Sequence, residues 1–177
     1  MADKVQVHYD AFLKETLEPM TSAGLLLVAQ GRREKPNAMA IGWGSIGSIW
    51  SQPIFIVLVR PSRYTYELLE EDGDFTVNVM PPKMKRAVDL CGSVSGRTHD
   101  KFAEAKMTAA PSLHVRTPII AESLIAYECR TMMTNDVPPD RLDRTIRDTA
   151  YASGDFHRLF FGKILCVRAD RKPAHSR

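Results

Sequence analysis

Residues 54–59 read Ile-Phe-Ile-Val-Leu-Val and run directly into Arg60-Pro61-Ser62-Arg63-Tyr64-Thr65. The apolar run specifies a buried strand, and Tyr66-Glu67-Leu68-Leu69-Glu70-Glu71 has the spacing of an amphipathic helix that starts where the strand ends. Helix N-termini leave backbone N–H groups unpaired and carry partial positive charge. Two guanidinium groups and two hydroxyls at the same point make a site suited to a phosphate. The competing reading makes Ser62 or Thr65 an ordinary N-cap and leaves the arginines solvated.

A chain of 177 residues can bury a substantial core as one domain. Its hydrophobic fraction of 44% and charged fraction of 25% are those of a soluble globular protein. No apolar run approaches the roughly 20 residues that cross a bilayer. Met1 to Gln6 carries an early acid in place of an uninterrupted apolar leader, so a cytoplasmic location is expected, without membrane association. Cys91, Cys129 and Cys166 show no paired spacing, which points to reduced thiols, with Cys129 and Cys166 as small buried residues of strands. The net charge of +3 favours anionic partners weakly, and much of it lies in a tail, 168–177, expected to fray. There is no basic helix with interleaved aromatics, so nucleic acid is not an expected partner.

The pattern along the chain predicts a short helix over 11–17 stopped by Pro19, then a buried strand over 24–30. Residues 37–46 alternate small and large side chains, with glycines at 42, 44 and 47 that mark a bulge or a close approach. Strands are predicted at 54–59, 75–80, 125–133 and 157–167, and helical segments after Thr65, over 83–91 and near 100–105. The polar stretch 135–151, with Pro138-Pro139 and a short helix near 141–148, is expected to project from the core. Turn-separated strands with few short helices predict a mainly β protein, a barrel with helical decoration. A Rossmann alternation and its Gly-rich fingerprint are missing.

Common catalytic signatures do not apply. Gly92-Ser93-Val94-Ser95-Gly96 has valine where a nucleophile elbow needs serine. The five histidines have no i, i+4 pairing or adjacent cysteine pair, so no metal site is expected. What remains is polar residues at strand ends: Asn37, Arg60 to Thr65, Asn78, Ser95-Gly96-Arg97 with Asp100-Lys101-Phe102, and His157. This inventory lacks an acid–base pair but suits holding a cofactor that carries the chemistry.

Five segments, in this order, resemble the flavin reductase-like proteins with the FMN-binding split-barrel fold, a Greek-key barrel, and among them the flavoredoxin-like group. They are Pro36-Asn37-Ala38-Met39, Arg60 to Thr65, Phe75-Thr76-Val77-Asn78, Cys91 to Arg97 with Asp100-Lys101-Phe102, and Gly154-Asp155-Phe156-His157 through Phe161-Gly162-Lys163-Ile164. The resemblance spans about residues 19–167. It implies that Ser62, Arg63 and Thr65 lie at the phosphate of FMN, with FAD or riboflavin as alternative flavins, and that Arg60 and Tyr64 are cofactor-binding residues beside them, Tyr64 having a core or interface role as its alternative. Asn37, Ala38, Met39, Ala40, Ile41, Gly42 and Trp43 would run beside the ring, and Asn78 would sit near the ribityl chain or ring. Ser95, Arg97 and Lys101 would close the site, with Gly96 and Phe102 as cofactor-binding neighbours, and His157 would be the catalytic-face residue against which a nicotinamide stacks. Family patterns often have Thr or Ser two steps apart where this chain has Ala40 and Gly42, so only backbone contacts to the ring carry over there.

The implied function is an FMN-binding oxidoreductase of the flavin reductase type. Hydride would pass from NAD(P)H to the flavin and electrons onward to an acceptor, in a homodimer with a redox protein as a further partner. Two other readings use the same residues: an electron carrier without NAD(P)H activity, and a non-catalytic split-barrel binding protein. Arg63 and Arg97 as solvated partners of Glu67 and Asp100, Asn78 as a turn residue, and Trp43 and Trp50 as packing or interface residues are the structural alternatives.

Overall fold

The computed structural model describes residues 4–170; residues 1–3 and 171–177, including most of the basic tail, lie outside the described residues. In chain order the elements are β1 (Lys4–Val7), α1 (Leu13–Met20), β2 (Leu25–Ala29), β3 (Asn37–Ile41), β4 (Gly44–Ile49), β5 (Gln52–Val59), α2 (Tyr64–Asp72) and β6 (Asp74–Val79). A single 3₁₀ turn (Pro82–Met84) leads into α3 (Lys85–Ser93), followed by α4 (Lys101–Glu104), β7 (Ala109–Ala110), β8 (Ile119–Ile120), β9 (Ile125–Asp136), α5 (Arg144–Ala150) and β10 (Arg158–Asp170). No helix among the described residues is long and apolar enough to cross a membrane.

The main sheet is antiparallel throughout, in the order β3-β2-β6-β9-β10-β5-β4, with β1 paired to the end of β10. Its first and last strands, β3 and β4, are joined by Gly42 and Trp43 alone. Two residues span only a few ångströms. The sheet must therefore curl until its two edges meet, giving a barrel split at that seam.

β2 shows why the curl is stable. All five of its residues are buried, because it packs on both faces. Leu25, Leu27 and Ala29 point into the barrel with Phe55, Val57, Phe75, Val77, Tyr127 and Phe160. Leu26 and Val28 point outward under α3 and α4, against Ala87, Val88, Cys91 and Phe102. Each fully buried Leu or Val of this kind contributes about 1.5–3 kcal/mol. Gly162 in β10 is required by the same core, since a Cβ there would collide with the Phe75 ring. Phe55 meets Tyr127 edge-on at 5.3 Å, and the Tyr127 hydroxyl shares a 2.8 Å hydrogen bond with Thr16 Oγ1, which fixes α1 over the barrel end.

Several expectations need correction. Pro19 lies inside the last turn of α1 and does not stop it; its ring costs one ladder bond, while its carbonyl accepts N–H from Ser22 and Gly24. The alternating run from Asn37 is two strands, because the chain must turn at Gly42–Trp43 to reach the opposite sheet edge. Residues 168–170, expected to fray, are paired with β1. Strand β9 continues to Asp136, so the excursion begins later and its helix runs over 144–150, capped by the Asp143 carboxylate on the N–H groups of Thr145 and Ile146. Gly73 ends α2 as expected, in the left-handed conformation at φ 78°.

A buried acid holds the 111–117 connection to the barrel. Glu128 is fully inaccessible; one carboxylate oxygen accepts the N–H groups of Leu113 and His114 at 2.8 Å, and the other lies 2.8 Å from Arg168. Removing one partner strands the other charge in the interior. Glu128→Ala is expected to lower stability by about 3–5 kcal/mol in urea unfolding, with Glu128→Gln costing less because it keeps an acceptor.

Candidate functional site

At the seam the sheet edges leave a cleft of about 460 Å³. Met39 to Trp43 form one wall, Arg60 to Thr65 the end of β5 and start of α2, Cys91 to Ser95 with Arg97 and Lys101 the far wall, and His157 the mouth. Residues from four separate parts of the chain converge because β3 and β4 meet here and because α3 and α4 pack across β3.

The start of α2 is built differently from a side-chain cap. Arg63 is the N-cap and makes no side-chain capping bond. Thr65 is buried, and its Oγ1 accepts a 2.8 Å hydrogen bond from Asn37 Nδ2, leaving its own hydrogen to donate. The backbone N–H groups of Tyr64 and Thr65 have no acceptor among the described residues, as the first turn of a helix dictates. The exposed Arg63 side chain lines the cleft with no hydrogen bond or ion pair among the described residues, which excludes the expected pairing with Glu67.

Lys101 is the most demanding group. It is only 5% exposed, and its Nζ donates to the carbonyl oxygens of Ala38 and Cys91, both at 2.9 Å. An ammonium has three donors. No carboxylate among the described residues pairs with it. Burial pushes its pKa down, and the nearby Arg63 charge adds to this. A buried ammonium beside an unpaired guanidinium and a helix N-terminus is short of negative charge. Cys91 is no counter-ion, since burial pushes its thiol up to about 11.

Other sequence candidates have different occupations. Arg60 lines the cleft, but its guanidinium donates to the carbonyls of Ala150, Gly154 and Asp155 and lies 5.1 Å from the centre of the Tyr151 ring. It is a clamp on the end of the excursion, not an open phosphate ligand. Ser62 likewise donates, through its backbone N–H and its hydroxyl, to the Asp155 carboxylate, at 3.3 and 2.6 Å. Asn78 is remote from the cleft: fully buried, it accepts from the Ile120 N–H and donates to Leu26 and Thr76, tying β8 to the barrel. Ala38 and Phe102 face the packed layer under α3 and α4, and Ala38 reaches the site only through its carbonyl. Gly96 lies behind the wall, where a Cβ would strike the Asn37 side chain. Arg97 bridges the Ser62 carbonyl and Glu67 and leaves Asp100 to Lys35.

At the mouth, the His157 ring sits 5.0 Å from the Trp43 ring and shares a 2.8 Å hydrogen bond between Nδ1 and the Tyr151 hydroxyl. Tyr151 also stacks on Phe156 at 4.6 Å. Tyr151 and Asp155 are functional neighbours that sequence reasoning missed. The Gly154-Asp155 turn, with both residues at positive φ, was the available signal for Asp155, whereas nothing local marks Tyr151. Burial, then the charge of Arg60 and, further on, Arg63, push the His157 pKa down to about 4.

This architecture defines a split β-barrel with an anion-seeking cleft at its seam. A family model described as "Flavin reductase like domain" matches residues 20–176. The chain is 30% identical over 140 residues to an uncharacterized protein of Pyrococcus abyssi, covering 78% of this chain and 69% of that one. Among solved structures it is similar to the flavoredoxin of Desulfovibrio vulgaris (Miyazaki F), with 27% identity, a TM-score of 0.67, and 84% of this chain and 69% of that chain covered. A flavoredoxin from Methanosarcina acetivorans gives 27% identity and a TM-score of 0.68, over 96% and 77%. The chain belongs to the flavin reductase-like family.

The depressed His157 pKa has a checkable sign. The unfolded chain binds a proton near pH 6.5 that the folded state refuses until about pH 4. His157 therefore supports the fold fully above pH 6.5, and this contribution is lost as pH falls from 6.5 to 4. Two-dimensional NMR of the imidazole should show titration near 4, and Arg63→Ala should move it upward.

Proposed function

We propose that this chain binds FMN in the seam cleft and works as an NAD(P)H-dependent flavin reductase. The observation that carries this reading is Lys101, a buried ammonium without a carboxylate partner, set beside the unpaired Arg63. That donor set fits a phosphate-bearing ligand. Arg63, the Thr65 hydroxyl and the N–H groups of Tyr64 and Thr65 would hold the phosphate. Lys101 would supply positive charge deeper in the cleft, and the backbone of Met39 to Trp43 would seat the ring. When bound, the flavin supplies a two-electron acceptor for a reduced nicotinamide and a donor to the next carrier.

His157 stays neutral at physiological pH, so it offers an uncharged planar wall with Trp43 and not a proton donor. Tyr151, held by Arg60, fixes its orientation. Fixed cations in a partly desolvated cleft stabilise negative charge that develops during hydride transfer without reorganising. Likeness to the flavoredoxins supports a second reading, an electron carrier that takes electrons from a protein and not from a nicotinamide.

The purified protein should carry or take up FMN with visible absorbance that bleaches anaerobically on adding NADH or NADPH. Bound FMN that stays oxidised would select the carrier reading, and no flavin binding would sink both. Arg63→Ala is expected to weaken FMN binding by about 1–3 kcal/mol while leaving riboflavin binding unchanged.

We further propose a homodimer. Trp50 is 55% exposed at a hairpin tip and held at positive φ, an uncommon state for a bulky residue. Its ring is 6.3 Å from Phe161, which sits in register with Met133 of β9. This continuous apolar patch is of the kind that interfaces cover. Sedimentation should give a dimer mass, shifted toward monomer by Trp50→Glu.

A further inference from the structure

The residues lining the seam cleft include four cations, Arg60, Arg63, Arg97 and Lys101, and no acid. One carboxylate nevertheless reaches the start of α2 from outside that lining. Asp155, in the turn after α5, accepts from both donors of Ser62: the backbone N–H gives to Oδ1 at 3.3 Å and the hydroxyl to Oδ2 at 2.6 Å. A backbone N–H and a hydroxyl beside a helix N-terminus are also what a phosphate takes. Asp155 is thus an internal anion on the residue that precedes the Arg63 N-cap.

Both backbones of this contact are fixed. Arg97 donates to the Ser62 carbonyl at 3.1 Å, and the Arg63 N–H closes a turn on the Arg60 carbonyl at 3.0 Å. Across from them, Arg60 holds the carbonyls of Ala150, Gly154 and Asp155, with Asp155 in the left-handed region at φ 55°. That conformation is uncommon outside glycine, and Asp is one of the few residues that tolerate it. Parting Asp155 from Ser62 therefore needs only rotation about the Asp155 side-chain bonds. Its charge also reaches across the mouth, where it opposes Arg60 and Arg63 at His157.

A phosphate held by Arg63 and Thr65 lies against Ser62, which lines the same cleft. Two anions cannot share the Ser62 donors, because like charges at hydrogen-bond distance repel. A phosphate monoester carries more charge and more acceptor oxygens than a carboxylate, so it wins them beside Arg63.

We propose that Asp155 is a built-in competitor for the phosphate: its carboxylate holds the Ser62 donors in the free protein, yields them to the ligand, and retakes them on release. This rests on the flavin reading of the cleft. Asp155 then sets how tightly a phosphorylated flavin is retained, and its removal should strengthen binding where loss of a merely structural anchor would weaken it.

Fluorescence titration of the whole chain with FMN and with riboflavin, for wild type and Asp155→Asn, tests this. Asn keeps the shape and one acceptor oxygen for Ser62 but not the charge. Expected is a gain in FMN affinity of about fivefold or more, with riboflavin unchanged within about twofold. In a Ser62→Ala background the gain should shrink, since the hydroxyl to be released is gone. In the wild-type protein, the Ser62 amide resonance should shift on adding FMN and not on adding riboflavin. FMN affinity unchanged or weakened in Asp155→Asn, an equal gain for riboflavin, a gain undiminished in Ser62→Ala, or a Ser62 amide indifferent to FMN each overturns the inference while leaving FMN binding standing. Absence of any flavin binding overturns it together with the reading beneath it.

Discussion

The two-residue link between β3 and β4 is the constraint on which the rest of the molecule depends. Those strands are the opposite edges of the main sheet, and Gly42 with Trp43 is too short to bridge them unless the edges meet. Closure brings the two edges together and forms one buried interior around Phe55, Phe75, Tyr127 and Phe160. It also leaves an imperfection. At the seam the two edge strands turn into each other without pairing, and the gap becomes the cleft. Stability and binding space thus come from the same chain reversal.

The electrostatics of that cleft follow from packing. Helices α3 and α4 cover the outer face of β2 and β3 and in doing so bury Lys101 against the carbonyls of Ala38 and Cys91. The neutral carbonyls satisfy geometry but not charge. With Arg60 committed to the 150–155 turn, Arg63 and Lys101 are cations of the seam that no carboxylate among the described residues pairs. Where the protein does supply an anion, at Ser62, Asp155 takes the donors. The recognition surface is therefore narrower than a count of basic and hydroxyl residues implies.

How much of this was legible depended on how local each signal was. The run Ile54–Val59, its exit into Arg60–Thr65, and the stop at Gly73 were readable because burial, helix start and left-handed cap each act within a few residues. The split barrel and family were readable from five segments in register. The partner of Asn78 is not legible from sequence, because a buried Asn in a strand looks the same whether it meets a ligand or, as here, the Ile120 N–H. That the guanidinium of Arg60, a residue lining the cleft, is engaged by backbone carbonyls is not legible, because those acceptors lie about ninety residues away in the chain. Tyr151 escaped notice in a polar excursion whose last residue alone returns to the core.

Residue order by itself determined the buried runs of β2, β5 and β6, the cation-rich strand exit and the scattered cysteines, because these depend on periodicity and on chemistry between near neighbours. Tertiary structure alone decided which cations are free, which are clamps, and that Lys101 is sealed in without a counter-charge. Free charge in a folded protein is a matter of who is left without a partner, and partners 60 to 100 positions apart are chosen only when the sheet closes.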